Sequence, residues 1–218
     1  MKRITALIAL LAFTMAAQAQ YRNEPNDVFA SQFDRYVTFS LAARYGVAMP
    51  LGGQKGYIDR ISPANVAIEG EWLFPKHFSL GIKTGYQYNQ QRLDRQVYEL
   101  GDETVSAVQT RTLTIIPAMV SASYYFAENS AAIRPYVQLA GGGAYVDYTN
   151  FFGPLSDQNN GFKAAISPAI GLKFFGQRDQ KLGAEVQAQY QNVFFNYDRL
   201  RNSSPSLMLS AGLVYRMY

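Results

Sequence analysis

The stretch Leu207-Met208-Leu209-Ser210-Ala211-Gly212-Leu213-Val214-Tyr215-Arg216-Met217-Tyr218 closes the chain, and its reading decides the fold. Every second residue is apolar: Leu207, Leu209, Ala211, Leu213, Tyr215 and Met217. The residues between them, Met208, Ser210, Gly212, Val214 and Arg216, are smaller or more polar. A period of two over a dozen residues is a β-strand with one face in an apolar medium.

The same alternation fills most of the chain. It predicts strands over 35–49, 63–74, 76–89, 110–126, 134–149, 161–175, 181–196 and 205–217, with no amphipathic helix between them. The connections alternate in length. Those at 50–62, 90–109, 150–160 and 197–204 are long, and those at Pro75, 127–133 and 176–180 are short. An up-and-down meander with this rhythm puts all long loops at one end and both termini at the other, as transmembrane barrels do. The predicted fold is therefore all-β, an eight-stranded antiparallel up-and-down barrel over 35–218.

Which face looks outward follows from residue size. One register carries Val37, Phe39, Leu41, Val66, Ile68, Phe78, Leu80, Ile82, Ile166, Ile170 and Leu172. The other mixes charge with small side chains, such as Ser40, Gly46, Ala67, Gly81, Gly85, Ser167 and Gly171. Water imposes no need for small residues, whereas eight strands leave a lumen only wide enough for side chains. The small and charged register faces inward and the bulky one faces lipid. Closure follows, because an open sheet edge has no hydrogen-bond partners in hydrocarbon. Arg44, Lys83, Lys173 and Arg216 then share the lumen with Glu69, Glu71 and Glu185. Buried charges demand pairing, so the expectation is an ion-pair network plugging the barrel. A polar path for ions or small solutes is the alternative.

Trp72, Phe74, Phe78, Tyr124, Phe126 and Phe174 fall at strand ends beside the short turns, as one interfacial aromatic girdle would. Tyr45, Tyr86, Tyr88, Tyr148 and Phe194 are candidates for the girdle at the other rim. Pro117 and Pro168 lie inside strands and are read as bulges. The facing of the strand that contains Gly141, Gly142 and Gly143 stays open.

The 218-residue chain has no Cys, which excludes disulfides and thiolate metal sites. Its net charge of +4 comes without a Lys/Arg run, so nucleic acid is not an expected partner. The start, MKRITALIALLAFTMAAQAQ, has a basic head, an apolar core too short to span a bilayer, and Ala17-Gln18-Ala19. It reads as a signal peptide over 1–19, cleaved before Gln20, with a polar periplasmic leader over 20–34. No metal-ligand spacing, cofactor loop or catalytic cluster stands out. The lone His77 lies beside the Pro75-Lys76 turn.

Ser210, Gly212, Tyr215, Met217 and Tyr218 resemble the C-terminal strand signal that the barrel-assembly machinery reads in Gram-negative outer-membrane barrels. Here the final aromatic falls one place out of the lipid-facing register. TLTIIPAMVSASYYF (112–126), followed by RPYVQLAGGGAYVDY, is similar to the porin family of outer-membrane β-barrel domains. Across most of the mature chain the sequence resembles the small eight-stranded OmpA/OmpX/OmpW-like barrels. The resemblance implies the outer membrane of a Gram-negative bacterium and contact with its lipid. On function it implies little, because this fold hosts anchors, adhesins, channels and enzymes. The expected role is structural or surface-interacting and not enzymatic, with long loops for a protein or other surface ligand. A narrow channel and a lipid-modifying enzyme are the rival readings. The 90–109 segment, with Gly101-Asp102-Glu103 between alternating runs, reads as a projecting hairpin whose edge is open to a partner strand. Phe151-Phe152-Gly153-Pro154-Leu155 is an apolar patch in another long loop.

Overall fold

In the computed structural model the described residues are 31–218, apart from 76, 101–102, 154, 178–179, 198–199, 201–202 and 218. The expected signal peptide, leader residues 20–30 and Tyr218 lie outside them. Eight antiparallel strands follow one another around a closed barrel. They are β1 (Thr38–Pro50), β2 (Ser62–Leu73), β3 (Phe78–Leu100), β4 (Glu103–Tyr125), β5 (Ile133–Phe152), β6 (Leu155–Phe175), β7 (Leu182–Val193) and β8 (Ser204–Met217). The closing ladder joins the first strand to the last, from Phe39 opposite Met217 to Pro50 opposite Ser206. β8 thus completes the wall against β1.

The wall has the two-faced character that alternation dictates. Leu41, Ile68, Ile82, Val120, Leu139, Ile170 and Leu213 point outward and are exposed, while Ser40, Arg44, Glu69, Lys83, Ser121 and Lys173 point inward and are buried. A continuous apolar outer belt around a polar interior suits a wall standing in lipid.

The structure departs from the expected elements in three places and fixes a facing that the sequence left open. First, 150–160 is largely ladder and not loop, and the hairpin read in 90–109 continues β3 and β4 without a separate connection. The β3–β4 pairing runs out to Leu100 opposite Glu103, with a register shift between Leu93 and Gln96. The β5–β6 pairing reaches Phe152 opposite Leu155, with Gly153 turning at φ 61°. Each strand of the β3–β4 pair has 23 residues, about twice the 9–11 that a bilayer crossing uses. Beyond the lipid no medium enforces apolar alternation, yet the backbone groups still pair. Second, the long connection after β1 folds into a six-residue helix. The helices are α1 (Gln32–Arg35), ahead of β1, and α2 (Gly52–Tyr57).

Third, Pro117 and Pro168 are not bulges. The β4–β5 register passes unbroken through Pro117 opposite Ala144, and the β5–β6 register through Pro168 opposite Leu139. On its other side each proline leaves a gap in the pairing without changing register, as a missing N–H requires. Thr84 partly covers the first gap, its Oγ1 donating to Pro117 O at 2.9 Å. The glycine-rich strand, whose facing was open, has one regular facing, with Arg134, Tyr136, Gln138, Ala140 and Ala144 inward and Val137, Leu139 and Tyr145 outward.

Candidate functional site: the filled lumen

All seven charged residues expected inside stand on the lumen face, each 2% exposed or less. At mid-height Arg44 of β1 reaches two carboxylates from different strands. Its Nη2 lies 2.6 Å from Glu69 Oε2 and its Nη1 3.0 Å from Glu185 Oε1. The geometry follows from the ladder. Ala42 faces Glu69, while Gly212 sits opposite both Arg44 and Glu185 at the β8 seam. An added Cβ on Gly212 would meet Ala43 O at 2.0 Å, so only glycine lets the strands approach there.

Nearer the short turns, Lys173 Nζ pairs with Glu71 Oε1. Glu71 also accepts from Ser40 Oγ at 3.1 Å, Ser79 Oγ at 2.8 Å and Tyr125 Oη at 2.7 Å. Every lone pair of this carboxylate has a donor at hand, the condition under which a buried ion pair holds. Lys83 differs from expectation in its partners, since its Nζ donates to the amide oxygens of Gln138 (3.5 Å) and Gln189. Arg216 donates to two backbone carbonyls, Asn129 O and Gln180 O.

Sequence reading missed half of this network. Tyr136 Oη donates to Glu185, and Ser121 Oγ and Gln138 Nε2 each reach Glu69 Oε1 at 2.7 Å. Gln187 Nε2 bridges to Tyr136 Oη at 3.0 Å and to Gln138 Oε1 at 3.2 Å. The signal for these residues was present. Ile133, Val137 and Leu139 alternate with Arg134, Tyr136 and Gln138, as Val120 and Tyr124 do with Ser121 and Tyr125.

The long-loop half of the lumen is built differently. Leu113, Ile115, Met119, Ala140, Ala144, Val146, Tyr148 and Val193 form an apolar core, closed from above by Tyr57 and Ile58 after β1 and by Phe195 and Leu200 after β7. Tyr148, a candidate for the outer girdle, is therefore a lumen residue. Its ring stacks on that of Tyr57 at 4.2 Å between centroids. Tyr57 Oη donates to Thr149 O at 2.9 Å, and Arg111 Nη1 donates back to Tyr57 O at 2.9 Å. Burial pushes the Tyr57 phenol above its usual range, so it stays a donor in this cap.

The outer face carries the aromatics expected at the short-turn rim. Trp72 packs edge-on against Phe39 at 5.4 Å, Tyr124 likewise against Phe126 at 5.4 Å, and Phe74 lies 6.1 Å from Phe78. Trp72, Phe78, Tyr124, Phe126 and Phe174 are exposed and Phe74 is half-buried. His77 joins this group, with its ring 5.8 Å from that of Tyr124. In β8, Tyr215 points outward, while Ser210, Gly212 and Met217 are half-buried.

No protein-family model matches the chain, and neither does any curated protein. Solved structures do. Neisserial surface protein A matches with a TM-score of 0.51 at 13% identity, over 82% of this chain and 96% of that one. The chain has the fold of the small eight-stranded outer-membrane β-barrels. Two more barrels superpose less closely. The N-terminal β-barrel domain of OprF from Pseudomonas aeruginosa gives a TM-score of 0.44 at 14% identity, over 84% of this chain and 100% of that one. Ail, the attachment invasion locus protein of Yersinia pestis, gives 0.44 at 12% identity, over 82% and 97%. Among the described residues of the barrel, no group of His, Cys, Asp and Glu is arranged to hold a metal ion.

Proposed function

We propose that this is a closed outer-membrane barrel of a Gram-negative bacterium with a structural or surface-interaction role. The lumen acts as the filling that holds the wall, and the tall hairpins act as the contact surface. One observation carries the reading: the lumen is filled at both levels, by ion pairs on Arg44, Glu69, Glu185, Lys173 and Glu71 below, and by an apolar core under Tyr57 above. Such a lumen leaves no continuous aqueous path. Above the lipid, the β3 ladder to β2 stops at Tyr88 and the β6 ladder to β7 stops at Ala165. Past these points, and past the Phe194 N–H bond to Ala164 O, the described residues carry no further ladder on these edges, so each strand offers backbone groups to a protein or other surface ligand.

The remaining assignments follow from this placement. The signal over 1–19 is removed on export, and 20–34 is the leader on the periplasmic side. Ser210, Gly212, Tyr215, Met217 and Tyr218 present the final strand to the barrel-assembly machinery. Trp72, Phe74, Phe78, Tyr124, Phe126 and Phe174 hold the periplasmic lipid interface. The role is non-enzymatic, with His77 serving as a member of that girdle.

A narrow channel is the second reading, and one feature favours it. A cavity of about 10 Å³, with room for roughly one water, lies beside Lys83, Gln189 and Gln191. Among the described residues, Gln87 Oε1 and Gln191 Nε2, of residues on its lining, have no hydrogen-bond partner. Planar-bilayer recording of the folded barrel separates the readings. A silent bilayer is expected. Discrete current steps that change on Arg44→Ala or Glu71→Gln would make transport the function.

A further inference from the structure

The short-turn mouth holds an arrangement that the lumen network does not explain. Two buried guanidinium groups, Arg134 and Arg216, stand there, both fully covered. Arg216 is a sandwich: its guanidinium carbon lies 3.6 Å from the centroid of the Phe175 ring and 4.1 Å from that of Phe33. Arg134 stacks over Tyr125 at 4.0 Å. Both arginines meet on Asn129, whose Oδ1 accepts from Arg134 Nη2 at 2.6 Å and whose backbone oxygen accepts from Arg216 Nη1. Among the described residues, Arg134 Nε and Nη1 have no hydrogen-bond partner.

Phe33 belongs to no strand. It comes from α1, ahead of the barrel wall, yet it is as buried as any core residue. Its backbone oxygen accepts from Asn129 Nδ2 at 3.2 Å, and the next residue, Asp34, accepts from Ser130 N–H through Oδ1 at 3.0 Å. The Asp34 carboxylate also lies within electrostatic reach of Arg134. An aromatic ring covers one cation, and the adjacent carboxylate is held by Ser130 N–H within electrostatic reach of the other. A cation against ring faces, desolvated on both sides, is the geometry in which such contacts are strongest.

We propose that the short-turn mouth is a recognition pocket for an aromatic–acidic segment, and that the chain's own Phe33–Asp34 fills it as a stopper. The pocket wall is Arg134, Arg216, Phe175, Tyr125 and the Asn129–Ser130 turn. The stopper joins the segment before the first strand to the inside of the last, so it also pins the seam. It stands apart from the question of conduction, since the lumen above it is filled by other residues.

The chain contains no cysteine, so a single Ser130→Cys substitution gives a clean probe. Ser130 is buried behind the stopper, and its bond to Asp34 uses the backbone N–H, which the substitution keeps. The full-length folded protein, checked by its heat-dependent gel shift, is labelled with a membrane-impermeant maleimide. Labelling is expected to be slow, to accelerate roughly tenfold on Phe33→Ala as a desolvated cation–π contact is lost, and to stay slow on Phe33→Tyr. Asp34→Asn should accelerate it less, and this variant supplies the test if Phe33→Ala does not fold. In the accelerated variant, a peptide of sequence Ser-Gln-Phe-Asp-Arg-Tyr should restore protection, and the same peptide with alanine in place of phenylalanine should not. Equal labelling rates with and without the Phe33 ring, or protection by both peptides or by neither, would overturn the proposal.

Discussion

The two halves of the lumen fill the same narrow space with opposite chemistry. Toward the short turns, Lys173 and Glu71 stand among Ser40, Ser79 and Tyr125, and every polar valence of the carboxylate is met. Toward the long loops, Leu113, Ile115, Val146 and Tyr148 pack against a helix that folds back into the mouth. The charged half depends on the pairing of its ions, because each charge is costly alone. The apolar half depends on shape, because dispersion and the exclusion of water act without direction. Damage should therefore look different in the two halves: abrupt below, graded with volume above.

The largest effect is expected from Glu71→Gln, which strands the Lys173 ammonium inside the wall. Urea unfolding of the reconstituted barrel should show a loss of about 3–5 kcal/mol. Leu113→Ala in the upper half should cost about 2–5 kcal/mol and Leu113→Met less than about 1.5 kcal/mol, a grading by volume that the charged half should not show. A smaller loss, about 1–3 kcal/mol, is expected for Gly212→Ala, whose added carbon meets the Ala43 carbonyl beside Arg44. Smallest is Tyr57→Phe. It removes one hydrogen bond, to Thr149 O, and keeps the ring stacked on Tyr148, so about 1 kcal/mol is expected. If Tyr57→Phe cost as much as Glu71→Gln, the contrast between the halves would fail.

The difference between the halves also explains what the sequence made legible. Charges and small residues alternate with Leu, Ile and Phe along β1, β2, β3, β6, β7 and β8, so the facing of Arg44, Glu69, Glu71, Lys83, Lys173, Glu185 and Arg216 could be read directly. The upper core hides because its residues, Leu113, Ile115, Val146 and Tyr148, are as apolar as the outer wall, and hydropathy alone cannot separate inside from outside there. Tyr148 reads as a girdle candidate for that reason, although strict parity from Arg134 places it inward. The folding of Tyr57 into the mouth depends on long-range contacts with β4 and β5 that no local pattern encodes. The prolines misled in the other direction, because losing one N–H interrupts a ladder without obliging an extra residue. Likewise Asn150, Asp157, Gln158, Asn159 and Asn160 carry no alternation, yet the backbone pairs on to Phe152 opposite Leu155.

The most direct test of the account is a double-mutant cycle on the pair that anchors the charged half. Glu71→Gln, Lys173→Met and the double variant would be compared with the parent by reversible unfolding in lipid. Each single variant should lose several kcal/mol, and the double should lose at least about 2 kcal/mol less than their sum, because it leaves no unpaired charge in the wall. Losses that add to within about 0.5 kcal/mol would show that the two groups do not stabilise the barrel by pairing, and would contradict the account.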